Sequence, residues 1–222
     1  LVLPLDGLDS DSGRNLLSSF ENLEDEQWLY IHGISRGHPL VLELINRGAS
    51  ATAFHETLEN YVTVEIFSKL SAEQKRVLSV LSIFREPVSI DALSEQKLDI
   101  DVLDSLVEQG LARQVDSEVY DVHDLIREFL LRSLDKKLTI ELHNKCSSWY
   151  RKSIDAPVFT IELIFHLVSS DNMTEAAEII VNNGTSLISQ GHMELLGLID
   201  SLDQTDLSAE ISTKINQYKG EI

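Results

Sequence analysis

The hydrophobic positions of this chain recur mostly at helical spacing. Leu16, Leu17 and Phe20 follow Asp9, Ser10, Asp11 and Ser12, residue types that cap a helix start, so the pattern predicts a helical unit over about 6–20. A second amphipathic stretch carries Trp28, Leu29, Ile31 and Ile34. Gly37-His38-Pro39-Leu40 interrupts it, with Pro39 placed to open a helix from Leu40 to Asn46 and Gly48 placed to close that helix. A further short helix is expected around Phe54 to Tyr61, and the opening Leu1-Val2-Leu3-Pro4-Leu5 reads as a strand running out into a loop.

From Ile66 to Leu134 the pattern changes. Ser71 followed by Glu73 and Gln74 marks a helix start, and Val77, Leu78, Val80, Leu81 and Phe84 supply its apolar face. Pro87-Val88-Ser89 is a break before a short helix from Ile90 to Leu93, and Ile100 to Gln109 forms a third helix that Gly110 stops. Leu111 to Val115 and Val119 to Val122, separated by Asp116-Ser117-Glu118, read as a hairpin, and a helix follows from about Asp124 to Leu134. Three helices, a hairpin and a helix is the order of a winged helix-turn-helix. From Leu138 onward the chain is helical again, with Leu142, Cys146, Trp149 and Tyr150 near one face, then Ile161 to Leu167, Ala176 to Val181 and Leu195 to Leu202 as successive apolar stripes. Paired helices with small alanines at their crossing resemble tetratricopeptide-like hairpins, without a clean 34-residue self-match.

Charge narrows the possible partners. The 222 residues carry 37 acidic against 18 basic side chains, a formal net charge of −19. The excess is spread along the chain, at −7 over residues 1–64, −6 over 65–134 and −6 over 135–222. No segment is a basic platform for nucleic acid or anionic lipid. The third helix of the winged-helix pattern carries Asp99, Asp101, Asp104 and Glu108 and no basic residue. In a winged helix that element enters the major groove, so DNA is an unfavourable partner for it. The one cysteine, Cys146, fits a reducing cytoplasm, and no apolar run is long enough to span a bilayer.

Several chemistries lack their residues. None of the ten glycines is followed by lysine, so a phosphate-binding loop is missing. His55-Glu56 is the only His-Glu pair, and Glu59 stands where a zinc protease needs its second histidine. The chain by itself is therefore not expected to be an enzyme. It also lacks a starting methionine and is expected to be a piece of a longer protein.

Two short motifs stand in a telling order. Gly37-His38-Pro39-Leu40 runs into Val41-Leu42-Glu43-Leu44, and 85 residues after His38 comes Val122-His123-Asp124-Leu125-Ile126-Arg127-Glu128-Phe129. With a winged-helix pattern between them, they resemble the signal-transduction ATPases with numerous domains (STAND), which include apoptotic and plant-resistance nucleotide-binding proteins and maltose-regulon type activators. Val122 departs from the methionine common in plant and animal members, and His38 from a leucine. The resemblance implies a mainly α fold in three modules: a helical lid domain over 1–64, a winged-helix domain with a small β-hairpin over 65–137, and a tetratricopeptide-like helical repeat region over 138–222. It also implies an upstream NTPase core as this chain's intramolecular partner, and a protein partner for the repeat region. ATP or ADP with magnesium would be bound by the full-length protein, and no cofactor or metal by this piece.

By that resemblance Pro39 packs against the adenine, and His123 reaches the β-phosphate of ADP in the resting state. Asp124 is expected to cap its own helix. Each has a plainer reading. Pro39 is also an ordinary first-turn proline, and His123 a structural histidine. His143 and His166 are expected to pack in the core or at the edge of the C-terminal helices, and Cys146 to be a buried small apolar group. The resulting function is a regulatory piece of a nucleotide-dependent signalling switch. The alternatives are a winged-helix transcription regulator contacting DNA directly, or a helical scaffold with no nucleotide link.

Overall fold

A computed structural model of the chain describes residues 7–17, 24–35, 37–46, 66–153, 156–203 and 205–220. The expected strand at 1–5, the cap at Gly48 and the helix around Phe54 to Tyr61 lie outside these residues. Helices α1 (Ser10–Leu16), α2 (Asp25–Ser35) and α3 (Pro39–Asn46) come first. After a 3₁₀ turn at Phe67–Lys69 follow α4 (Ala72–Ile83), strand β1 (Val88–Ser89), α5 (Ile90–Glu95) and α6 (Ile100–Glu108). Strands β2 (Ala112–Asp116) and β3 (Val119–Val122) lead into α7 (Asp124–Ser133). The remainder is α8 (Lys136–Tyr150) with a 3₁₀ turn at Arg151–Ser153, then α9 (Pro157–Ser169), α10 (Met173–Ser189), α11 (Glu194–Asp200) and α12 (Ala209–Gly220). The fold is mainly helical, and among the described residues β-structure amounts to three short strands. One of them, β1, falls where the sequence reads only as a break, and α12 is a helix that its sparse Ile211, Ile215 and Tyr218 do not announce.

Local chemistry sets the helix ends. Ser71 and Gln74 form a reciprocal capping box, Gln74 N–H donating to Ser71 Oγ at 3.1 Å and Ser71 N–H to Gln74 Oε1 at 2.9 Å. Asp9, Asp99 and Asp135 each accept a backbone N–H from the first turn of the helix they precede. Gly110 closes α6 in the left-handed region at φ 73°, and Leu111 N–H returns to Leu106 C=O at 2.9 Å.

By packing, the described residues form two compact units, one drawn from 1–78 and 99–129, the other from 79–98 and 130–222. In the first, Trp28, Ile31, Val41, Leu42 and Ile45 are buried. Each such side chain contributes about 1.5–3 kcal/mol relative to exposure. Leu29, on the same amphipathic stretch in sequence, is exposed instead. Trp28 lies against Gly13 of α1, where an added Cβ would come within 2.9 Å of the indole, and its Nε1–H donates to Ser10 Oγ at 2.9 Å. Leu103, Leu106, Tyr120, Val122 and Ile126 form the interior around α6, the hairpin and α7. The hairpin is antiparallel, pairing Arg113 with Asp121 and Ala112 with Val122.

In the second unit α8, α9 and α10 pack in sequence, with Ile161, Leu163, Ile164 and Leu167 of α9 fully buried and Ala176 and Ala177 at the α10 crossing. Tyr218 of α12 rests on Gly184, which leaves no room for a Cβ, and donates to Val181 C=O at 3.2 Å. His143 and His166 meet in this core, Nδ1 to Nδ1 at 2.8 Å. The ring of Tyr150 stacks on His166 at 5.4 Å, Phe84 and Phe165 meet it edge-on, and His166 Nε2 is buried without a hydrogen-bond partner. Beside them Arg85 forms a two-point ion pair with buried Glu162 and lies over Phe165 at 4.1 Å. Cys146 is buried here too, and burial pushes its thiol well above the ordinary range. Of the two expected places, core or edge, both histidines take the core, and the cysteine is buried as expected.

Candidate functional site

The first unit brings the two sequence motifs into one place. Gly37 ends the segment after α2 in the left-handed region at φ 70°, its C=O accepting from Leu8 N–H at 2.8 Å. His38 C=O accepts the first bond of α3 from Leu42 N–H at 3.2 Å, so His38 stands in the cap position and Pro39 is the first helical residue. Pro39 itself is exposed. A Cβ on Gly37 would stand 2.2 Å from the Leu8 carbonyl oxygen. We expect Gly37→Ala to cost at least about 1–2 kcal/mol from the left-handed backbone alone, with more from displacing Leu8. A thermal or denaturant midpoint indistinguishable from wild type would refute this account of the turn.

His123 plays the matching role at α7. Its C=O accepts from Arg127 N–H at 2.9 Å. Asp124 is therefore the first residue inside the helix, not its cap as expected. Its carboxylate is solvated, 4.0 Å from Arg127 Nε, and complements the helix N-terminus as a surface charge.

The two caps touch. His38 and His123 meet ring edge to ring face, with centroids 5.6 Å apart and planes at 71°. His38 Nδ1 is buried without a hydrogen-bond partner. Burial holds the His38 imidazole below its ordinary pKa, and the neighbouring His123 adds to that, so His38 is neutral at physiological pH. His123 also lines a cavity of about 360 Å³ with Glu43, Val107, Gly110, Ala112, Arg113 and Gln114. Pro39 is not among the lining residues. The structure thus joins His123 to the residue next to Pro39.

Sequence reasoning passed over Asp121, the most constrained charge in this region. It is buried, at 5 % exposure, in the strand that leads into His123. Oδ2 accepts from Arg113 Nε at 3.0 Å and Nη2 at 2.5 Å, and Oδ1 accepts from Arg127 Nη2 at 2.6 Å and from Val122 N–H at 2.8 Å. An acidic residue inside the apolar run Val119 to Val122, directly across an antiparallel hairpin from an arginine, was the available signal.

Among the described residues no group of three or more His, Cys, Asp or Glu side chains is arranged to hold a metal ion, and no helix is long and apolar enough to cross a membrane. No family model matches the chain, and neither does any curated protein. A solved structure does: a STAND protein with a tetratricopeptide repeat sensor from Pyrococcus horikoshii, with a TM-score of 0.67 and 21 % identity. The match covers 98 % of this chain and 35 % of that protein. At that identity the likeness is one of architecture, and the chain has a STAND-like, mainly helical fold.

Proposed function

We propose that this chain is the regulatory region of a nucleotide-dependent signalling switch, with a lid over 1–64, a winged helix over 65–137 and a helical sensor region over 138–222. The observation that carries the reading is the contact between His38 and His123, which joins two motifs 85 residues apart. The fold likeness to a STAND protein supports it.

The donors around His123 suit the edge of a phosphate. An imidazole N–H, the Arg113 guanidinium and the Gln114 amide all donate, while Glu43 on the same cavity opposes a second anion. Such a set suits one edge of a nucleotide carried by another domain, not a self-sufficient nucleotide site. A bound nucleotide would supply a charged phosphate, and His123, fixed at the start of α7, would donate to it. Pro39 would lie against the base, since its exposed ring presents an apolar surface beside the same contact. α7 and α3 would then report whether the phosphate is present, and the helical region would carry that state to a protein partner.

Two measurements test this reading on purified protein. The 222-residue chain alone is expected neither to hydrolyse ATP nor to bind it at micromolar concentration, whereas a version extended upstream through a nucleotide core binds ADP. The chain is also expected not to shift duplex DNA at physiological salt, because α6 turns Asp101, Asp104 and Glu108 to solvent and carries no cation. Saturable duplex binding would instead favour the direct transcription-regulator reading.

A further inference from the structure

We propose that Asp121 is a positioning residue for His123, and that its ion-pair cluster sets the direction in which the His123 imidazole points. This inference rests on the nucleotide-facing reading of His123. The geometry carries it. Asp121 is buried between two arginines from different elements, Arg113 across the hairpin on β2 and Arg127 one turn into α7. One carboxylate therefore ties β2 to the helix that His123 begins.

It also acts along the chain. Asp121 Oδ1 holds the N–H of Val122, the residue before His123, at 2.8 Å. The next fixed point is His123 C=O, which accepts from Arg127 N–H, and Arg127 is itself held by Asp121 through its guanidinium. The backbone on both sides of His123 is anchored to the same side chain. Arg113 and His123 line one cavity, so a change in the Asp121 clamp reaches the ring and its surroundings together. Charge-assisted bonds of this kind are short and directional, which is what fixing a rotamer requires.

Asp121→Asn tests it, because the amide keeps the shape but cannot accept from both arginines on charged oxygens. In the 222-residue chain, the nuclear Overhauser cross-peak between the His38 and His123 rings is expected to weaken or vanish while the folded spectrum persists. In the nucleotide-bearing protein, ADP release is expected to speed up about two- to thirtyfold, the range for residues that modulate a coupled site without touching its ligand. Asp121→Asn added to His123→Ala should then give little further effect.

If His123→Ala speeds release and Asp121→Asn does not, the positioning role is overturned and the nucleotide reading stands. If neither changes release, both fall. Additive effects of the two substitutions would also overturn the role, since Asp121 would then act by another route. Should Asp121→Asn fail to fold, Arg127→Gln replaces it, because Arg127 does not line the cavity and its loss leaves Asp121 paired with Arg113 while the backbone bond to His123 C=O remains. A smaller change in the same direction supports the inference, and an unchanged cross-peak and release rate overturn it.

Discussion

Replacing His123 by alanine in the nucleotide-bearing protein is expected to release ADP about ten- to a hundredfold faster. The variant removes a hydrogen bond to a charged oxygen, worth roughly 1.5–3 kcal/mol. If that bond exists only in the closed, resting arrangement, its whole value moves the balance toward the open form. Stability of the 222-residue chain should fall only by about the worth of a ring contact, ~0.5–1.5 kcal/mol, because His123 C=O, which the substitution keeps, carries the first bond of α7. Stopped-flow release of a fluorescent ADP analogue and a thermal melt of the shorter chain measure the two quantities. Unchanged ADP release would remove His123 from the site, and a large stability loss would assign it a structural role.

The second large effect concerns acid. Burial holds His143 down to about 4, and burial, His143 and Arg85 together hold His166 well below its ordinary value. Both histidines regain a pKa of about 6.5 when the chain unfolds, so below that pH the unfolded state binds more protons. Stability is fully present above about pH 6.5 and falls as pH drops toward 4. From His143 alone the loss by pH 5 is on the order of 2 kcal/mol, and His166 adds to it. Glu162 works the other way, since burial raises its carboxyl despite Arg85, so acid costs less there than at an ordinary carboxylate. Melting midpoints of the helical region at pH 7.5, 6 and 5 give the slope. A flat profile would sink the account, and so would the same slope in a His143→Leu/His166→Leu double variant.

How far the sequence reveals this molecule depends on what each signal measures. Apolar spacing places α9 well, because Ile161, Leu163, Ile164 and Leu167 are all fully buried, with only half-buried Phe165 breaking the stretch. It fails at Leu29, where a helix with a narrow buried stripe leaves an apolar side chain in water. Near the end of α8 it divides credit between neighbours: Trp149 is half-buried, while Tyr150 fills the core and stacks on His166. Caps written in one residue, such as Gly110 or Ser71, are legible because their chemistry is local. The motif loops are legible as motifs, but that His38 touches His123 depends on a return of the chain that no local pattern encodes. Asp121 is half legible, since the hairpin sets it across from Arg113, while its bond to Arg127 depends on how α7 turns back after the strand.

Cys146 has a practical consequence. It is the chain's single thiol, buried among the aromatic and imidazole rings of the helical region, and its proton is held so tightly that the native state offers almost no thiolate. A thiol reagent in excess can then label it only when the helical region opens around α8. The labelling rate becomes a clock for that opening, readable by intact mass without any engineered probe. Its acceleration in acid would time the same event that the two histidines control.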